Sequence, residues 1–297
     1  MLKGCFPALV TPIGEGDSLN APVNYEAFKH LIEYVINGGV NGIVVAGCTG
    51  HAASLTMDER IQLVKTALEI VSDKVKVIVG DGLNCTRDAI NLAKKMEDLG
   101  INLHLQISPY QNKPTQEGLY QHYARIASAI DGEIIIYNVP GRTGKNIEAE
   151  TTIRLAKEFD NIIAIKEASG NLEQIKTIID NTKDLNFNVI SGDDGLTLDI
   201  IKAGGSGCIS VAANIDPKRT TEMINLALNN NFDEAEKLNN ILKPLFKVLF
   251  IETNPCPAHY ALRKIGIDVG IPRLPLVDVT DTSKKEIDRC LQELGLI

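Results

Sequence analysis

Eight short apolar runs rich in β-branched residues recur along the chain, separated by longer stretches with apolar residues three and four positions apart. A run that does not alternate between apolar and polar residues is typical of a strand buried on both faces, as in a parallel sheet covered by helices. Eight strand–helix units in roughly 230 residues predict an α/β fold, the (β/α)8 or TIM barrel. The runs span residues 6–12, 42–47, 75–80, 103–109, 133–140, 162–169, 187–194 and 207–214.

Helical patterns continue after the eighth unit, and no linker rich in Pro, Gly or Ser separates them from it. We therefore predict a barrel over residues 1–230 and a C-terminal helical region over residues 231–297 that packs on it. An open doubly wound sheet is the alternative fold, but such a sheet usually has a G-x-G-x-x-G turn after its first strand. The stretch FPALVTPIGEGDS does not contain that turn.

The composition disfavours several classes of partner. The formal net charge is −8 and lysines and arginines do not cluster, so neither nucleic acid nor an anionic membrane is expected to bind. No stretch approaches the ~18 apolar residues of a membrane span, and the N-terminal apolar run is too short for a signal peptide. The six cysteines are scattered without a C-x-x-C pair and the histidines form no H-E-x-x-H. We therefore expect reduced thiols, a cytoplasmic location and no catalytic metal.

Lys166 follows the four apolar residues that begin the sixth run, in the stretch IIAIKEASG. Barrel enzymes have their active sites at the carboxyl ends of the strands, so an unusual residue there suggests function. Desolvation disfavours an ammonium group, which would lower the pKa of this lysine and leave its amine available as a nucleophile. The alternative is an ion pair with Glu167, but neighbouring strand residues point to opposite faces. We favour the nucleophile.

Three further positions follow strand ends. Tyr137 follows the three isoleucines of the fifth run, where a phenol could relay protons, although a core tyrosine bonded to backbone is equally compatible with its position. Arg142, between two glycines, could bind a carboxylate at two points or lie on a surface turn. Thr49, within the stretch AGCTGH, could bind an anion together with backbone N–H groups. The glycine-rich residues 203–207 precede the eighth strand, so we expect a structural turn there.

Together these residues suggest Schiff-base chemistry on a 2-oxo acid. A lysine amine would condense with the ketone, and the protonated imine would withdraw electrons from the neighbouring carbon. Loss of a proton there would give an enamine that attacks an aldehyde.

The motifs FPALVTP, AGCTG, SPYQNKPTQEGLYQHY, YNVPGRTG, IKEASGN, SGDD, GGSGCISVAAN, ETNPCP and RLP cover essentially the whole length of the chain. With them the chain resembles the pyruvate-dependent lysine-aldolase superfamily, which includes dihydrodipicolinate synthase and N-acetylneuraminate lyase, and is most similar to the dihydrodipicolinate synthase family. The resemblance implies a lyase of diaminopimelate and lysine biosynthesis that condenses pyruvate with L-aspartate 4-semialdehyde. It also implies a homotetramer, a dimer of dimers, that uses no metal or organic cofactor.

The same resemblance implies roles for individual residues. Lys166 would form the Schiff base with pyruvate, and Tyr137 would transfer protons to and from it. Arg142 would hold the carboxylate of the semialdehyde, and the neuraminate lyases typically lack this arginine. The contacts to pyruvate would come from Thr49, Gly192 and the backbone of Ile209.

The chain departs from the family pattern in its proton relay. The motif G-T-T-G-E reads G-C-T-G-H, with Cys48 and His51, and the tyrosine pair after S-P reads Tyr110-Gln111. Beside Thr49, the catalytic relay would thus contain a thiol, which is a weak hydrogen-bond donor, and an amide that does not titrate. We therefore expect a working but slow synthase. For His51 we favour a capping or supporting role at the start of the next helix over a general base.

Two other functions remain open at this point. The first is an aldolase for a sugar-derived 2-oxo acid, which Arg142 disfavours and the altered G-C-T-G-H favours. The second is a catalytically impaired paralogue that binds an oxo acid, which the retained Lys166, Tyr137 and Arg142 disfavour.

Feedback inhibition by lysine is also implied by the resemblance. Asn84, Asp88 and Tyr110 match or nearly match the family's lysine-site positions. Other positions of that site differ, because sensitive enzymes often have serine or histidines there. These are Ala52, Met57 and Arg60. We expect weak or absent inhibition.

Overall fold

A computed structural model describes residues 2–72 and 74–297 of the chain. Its eight strands are β1 (Gly4–Pro7), β2 (Gly42–Val45), β3 (Lys76–Gly80), β4 (Leu103–Ile107), β5 (Glu133–Asn138), β6 (Ile162–Glu167), β7 (Asn188–Ser191) and β8 (Gly207–Ser210). They form one sheet in the order β1-β8-β7-β6-β5-β4-β3-β2. A parallel bridge between Ala8 and Val44 joins the chain just after β1 to β2, the two ends of that order. The fold is the predicted (β/α)8 barrel.

Seven of the strands lie inside the predicted runs, and β1 overlaps the first run but begins before it. The strands are shorter than the runs because the last residues of most runs pass into the loops that carry the candidate site. None of the described helices is long and apolar enough to cross a membrane. The helices are α1 (Tyr25–Asn37), α2 (Met57–Val71), α3 (Thr86–Glu97), α4 (Gln116–Ala127), α5 (Pro140–Thr143), α6 (Ala149–Glu158), α7 (Leu172–Thr182), α8 (Thr197–Lys202), α9 (Pro217–Leu228), α10 (Phe232–Val248), α11 (Cys256–Lys264) and α12 (Asp281–Glu293).

The described chain divides into two compact units, Met1–Gly4 with Ile78–Ile209 and Cys5–Val77 with Ser210–Ile297. The first unit contains β4 to β7 and α3 to α8, and an apolar layer fills the space between its strands and helices. The second contains α1, α2 and α9 to α12, with buried residues on one side of each helix. The division into a barrel over 1–230 and a helical region over 231–297 stays a prediction.

Strand register determines which side chains face the barrel interior. Ile134, Ile136 and Ile165 belong to the apolar layer that packs against the helices of the first unit. Because successive strand residues point to opposite faces, Tyr137 and Lys166 face the other way, into the barrel. These two residues are also direct register partners on the parallel strands β5 and β6.

Candidate active site

Lys166 and Tyr137 lie side by side where β6 and β5 end. Their exposed fractions are 6% and 5%, and the lysine Nζ is 4.1 Å from the centroid of the tyrosine ring. Burial of an ammonium group is costly, and the electron-rich face of a phenol offsets part of that cost. The structure thus confirms a buried lysine beside a tyrosine. Imine formation at Lys166 stays a prediction.

Gly192 packs directly against the lysine side chain. A Cβ atom added at this glycine would lie 2.9 Å from Cε of Lys166 and 2.8 Å from Cβ of Ala168. The backbone N–H of Gly192 donates to the carbonyl of Glu167 over 2.8 Å, which fixes the distance between the two segments. The glycine therefore makes room for the lysine.

Glu167 points away from Lys166, as strand alternation predicts. It is fully buried and accepts hydrogen bonds from Nδ2 of Asn138 at 3.1 Å, Nε2 of Gln174 at 3.0 Å and the N–H of Ser169 at 2.7 Å. Burial raises the pKa of this carboxyl group, while the hydrogen bonds act in the opposite direction. This cluster is not among the residues predicted from the sequence. The adjacent pairs Y-N and K-E on neighbouring strands were the signal that could have found it.

Arg142 lies in the short helix α5, directly after β5, and is exposed. The neighbouring Thr143 is buried, and its Oγ1 donates to the backbone carbonyl of Lys145 over 3.0 Å. Gly144 ends the helix at φ +72°, a conformation that favours glycine. The guanidinium is thus held on a compact turn at the same strand end as Tyr137.

Ile209 lies in β8 and is buried, with an exposed fraction of 1%. The glycine-rich segment 203–207 leads into this strand, as predicted for a structural turn. A Cβ at Gly207 would lie 2.0 Å from the carbonyl oxygen of Gly4, so close contact between backbones requires glycine there.

Thr49 and Cys48 belong to the second unit, in the turn after β2. Thr49 is 4% exposed and its Oγ1 accepts a hydrogen bond from Nδ2 of Asn254 over 3.0 Å. Because the hydroxyl accepts there, its own proton is left to donate elsewhere. The turn has positive φ at both ends, 54° at Ala46 and 59° at His51. Cys48 is half-buried.

His51 occupies the N-cap position of the following 3₁₀ helix, but its side chain makes no capping hydrogen bond. Of the two roles expected of it, the structure therefore favours the supporting one. Nε2 of His51 lies 3.1 Å from Nε2 of His259, and Nδ1 of His259 lies 3.1 Å from the carbonyl oxygen of Gly270. A carbonyl only accepts, so His259 carries its proton on Nδ1 and accepts at Nε2. His51 must then donate from Nε2. Burial lowers the pKa of His51 to about 4 and that of His259 to about 3.

Of the three candidate lysine-site residues, Asn84, Asp88 and Tyr110, two are joined by a hydrogen bond. Nδ2 of Asn84 donates to the carbonyl of Tyr110 over 3.3 Å, and Nδ2 of Asn112 donates to the carbonyl of Asn84 over 2.8 Å. Asp88 instead pairs with Arg87 at 3.0 Å, and that guanidinium lowers the pKa of the carboxyl group. The structure therefore brings Asn84 and Tyr110 together.

Among residues 2–72 and 74–297, no group of three or more His, Cys, Asp and Glu side chains is arranged to hold a metal ion.

A (β/α)8 barrel with a buried lysine beside a tyrosine, at the carboxyl ends of neighbouring strands, is the arrangement of a barrel lyase with a lysine nucleophile. The chain belongs to the dihydrodipicolinate synthetase family, which it matches over residues 1–294.

Similar proteins cover the whole chain. The 4-hydroxy-tetrahydrodipicolinate synthase of Archaeoglobus fulgidus is 46% identical over 297 residues and that of Methanocaldococcus jannaschii is 43% identical over 297 residues, with all of each chain covered. Among solved structures, the dihydrodipicolinate synthase of Acinetobacter baumannii, crystallised in complex with pyruvate, superposes with a TM-score of 0.95 at 40% identity and full coverage of both chains.

Proposed function

We propose that this chain is a 4-hydroxy-tetrahydrodipicolinate synthase, which condenses pyruvate with L-aspartate 4-semialdehyde on the way to diaminopimelate and lysine. Full-length relatives with that name support the proposal, as does the similar Acinetobacter baumannii enzyme that was crystallised with pyruvate. The observation that carries it is the buried side chain of Lys166, whose Nζ atom lies 4.1 Å from the ring centroid of Tyr137.

Catalysis begins at Lys166. Its neutral amine attacks the ketone carbon of pyruvate, and loss of water gives an imine. The protonated imine withdraws electrons, so the methyl carbon loses a proton and an enamine forms. The enamine carbon attacks the aldehyde of the semialdehyde. The amino group of that substrate then displaces the lysine, which closes the ring and regenerates the enzyme.

Tyr137 transfers the protons of these steps. Its side chain lies against that of Lys166, within reach of the carbon that the amine attacks. The family pattern assigns the other two positions of the relay to Thr49, whose hydroxyl already accepts from Asn254, and to Cys48. Gly192 and the backbone of Ile209 line the pyruvate side. Since the thiol is a weaker donor than a hydroxyl, turnover is slower than that of relatives with threonine.

Arg142 binds the carboxylate of the semialdehyde. It is exposed on the turn after β5, where an incoming substrate can reach it, and a guanidinium forms two parallel hydrogen bonds with a carboxylate. This contact favours an amino-acid semialdehyde over the neutral end of a sugar acid.

The functional form that we propose is a cytoplasmic homotetramer. One solved relative, 40% identical with a TM-score of 0.96 and coverage of 99% of this chain and 97% of its own, is described as the first monomeric dihydrodipicolinate synthase variant. That description supports oligomers as the common state. The resemblance to the family implies that the second residue of the pair Tyr110-Gln111 enters the proton relay of the neighbouring subunit. Gln111 is exposed at φ +72°, so its side chain is available to a second subunit. Six thiols in the chain support a reducing compartment.

Lysine is a weak effector at most. A similar enzyme from Cyanidioschyzon merolae, 39% identical with a TM-score of 0.94, was crystallised with lysine bound. Here Asn84 and Tyr110 lie together, but Asp88 is paired with Arg87. Met57 and Arg60 further alter the site.

The test is reductive trapping. Borohydride in the presence of pyruvate should attach a reduced pyruvate adduct to the peptide that contains Lys166. Lys166→Met should give no adduct, whereas Lys176→Met, which removes an exposed lysine of α7, should trap as the wild type does. An adduct elsewhere, or none, would contradict the proposal. A panel of aspartate semialdehyde and 2-keto-3-deoxy sugar acids then identifies the second substrate, and preference for a sugar acid would refute the synthase assignment.

A further inference from the structure

Behind Lys166, on the outer face of β5 and β6, lies a buried carboxylate cluster that the proposed mechanism does not use. Glu167 and Asn138 are register partners one step beyond the pair Lys166 and Tyr137. Both are fully buried. Nδ2 of Asn138 lies 3.1 Å from each carboxylate oxygen of Glu167, so the amide bridges the two strands at their ends.

The cluster extends to two further elements. Oδ1 of Asn138 accepts from the N–H of Ile147 over 3.0 Å, and its Nδ2 donates to Oδ1 of Asn146 over 2.7 Å. Gln174, in the first turn of α7, donates to Glu167 over 3.0 Å and accepts from Nδ2 of Asn146 over 2.8 Å. The residues 145–147 directly follow the turn that carries Arg142. The cluster therefore ties β5, β6, α7 and this turn together.

A carboxylate in such a place has a restricted geometry. An unpaired buried charge is very costly, so the donors around Glu167 must stay in place for the folded state to be stable. Hydrogen bonds to an ionised acceptor are also stronger than neutral ones. Glu167 follows Lys166 directly and Asn138 follows Tyr137, so restraint of the outer pair also restrains the inner pair.

We propose that Glu167 and Asn138 are positioning residues, which hold the ends of β5 and β6 in the register that sets the Lys166 amine against the Tyr137 ring. The proposal rests on the proposed function, since the reaction gives this alignment its value. An attack distance that is wrong by about 1 Å can slow a reaction on the order of a hundredfold.

Glu167→Gln tests this directly, because the amide replaces one acceptor oxygen by a donor that faces the donors of Asn138 and Gln174. We expect the rate of borohydride-trapped imine formation to fall about tenfold to a hundredfold, with the KM for pyruvate changed by less than about threefold. The exchanged pair, Asn138→Asp with Glu167→Gln, restores one donor and one acceptor between the strands and should recover part of the rate.

The matched control is Asn161→Ala. Asn161 lies just before β6, at the opposite end of the same strands, and its Nδ2 donates to the carbonyls of Ala127 and Ile130 at 2.9 and 3.3 Å. This variant should lose stability without slowing imine formation more than about twofold. The thermal midpoint of each variant shows whether the two losses of stability are comparable.

The possible results distinguish a positioning role from a general loss of stability. A Glu167→Gln enzyme that traps pyruvate at the wild-type rate, or an Asn161→Ala enzyme that is equally slow, would overturn the positioning role. If Glu167→Gln does not fold, Gln174→Leu removes one donor from the edge of the cluster and should slow trapping at least about threefold. No slowing there would also overturn the proposal. The wild type is measured separately from the variants. If it forms no imine with pyruvate, the proposed function is refuted, not the positioning role.

Discussion

At the scale of single residues, close packing and hydrogen bonds fix the positions of the residues around Lys166. Gly192 leaves no room for a Cβ beside the lysine, and Glu167 is held by three different donor groups on the opposite face. A lysine at a strand end could be recognised from the sequence because apolar residues precede it. The glycine opposite it, Gly192 directly after β7, could be suspected only from the family pattern.

The replacement of the relay residues leads to a prediction about turnover. Cys48→Thr together with Gln111→Tyr restores a hydroxyl and a phenol at the two positions where the family pattern is broken. A positioned acid or base contributes roughly 10²–10⁴-fold, so even partial restoration should raise kcat by about tenfold or more. Steady-state kinetics with pyruvate and aspartate semialdehyde measure the change.

Gln111→Tyr alone and Cys48→Thr alone are the controls for that double variant. Position 111 already has positive φ, so the backbone conformation is present before the substitution. A double variant with lower kcat than the parent would refute the relay account.

At the scale of secondary structure, the start of α2 is fixed by local and distant contacts together. Thr56 and Glu59 form a reciprocal capping box, which the sequence T-M-D-E signals. Arg273, more than 200 residues later in the chain, pairs with the same glutamate and donates to the carbonyls of Ala21 and Ser54 at 2.8 and 3.0 Å. This arginine is 7% exposed, so its ion pair is largely removed from water.

Arg273→Leu should therefore lower the free energy of unfolding by about 3 kcal/mol, because it leaves Glu59 and two carbonyls without their partner. Urea unfolding followed by circular dichroism measures the loss. Arg289→Leu is the matched control, since Arg289 pairs with Glu286 at the surface of α12 and its removal should change stability by less than about 1 kcal/mol. Equal losses in the two variants would show that the Arg273 contacts add nothing.

At the scale of the whole molecule, buried histidines make stability depend on pH. Burial lowers the pKa of His51 and of His122 to about 4 and that of His259 to about 3, whereas unfolded histidines titrate near 6.5. Between these values the unfolded chain binds more protons than the folded one. Stability should thus fall as the pH drops from about 6.5 towards 4, by up to about 1.4 kcal/mol per pH unit for each histidine.

Urea unfolding at pH 7 and pH 5 measures this slope. His259→Gln should reduce it, because one buried imidazole no longer titrates, and His30→Gln at an exposed position should leave it unchanged. Identical stability of the wild type at both pH values would contradict the prediction.

The order of strands and helices, and the approximate position of each strand, could be read from the sequence alone. Apolar periodicity and β-branched runs reflect burial that neighbouring residues share, so the barrel and the place of Lys166 beside Tyr137 could be predicted. The long-range partners depend on the folded arrangement: His51 lies against His259, 208 residues away, and Thr49 against Asn254, 205 residues away. Such pairs leave no local pattern, because a hydrogen bond depends on where the packed elements bring two side chains and not on their separation along the chain.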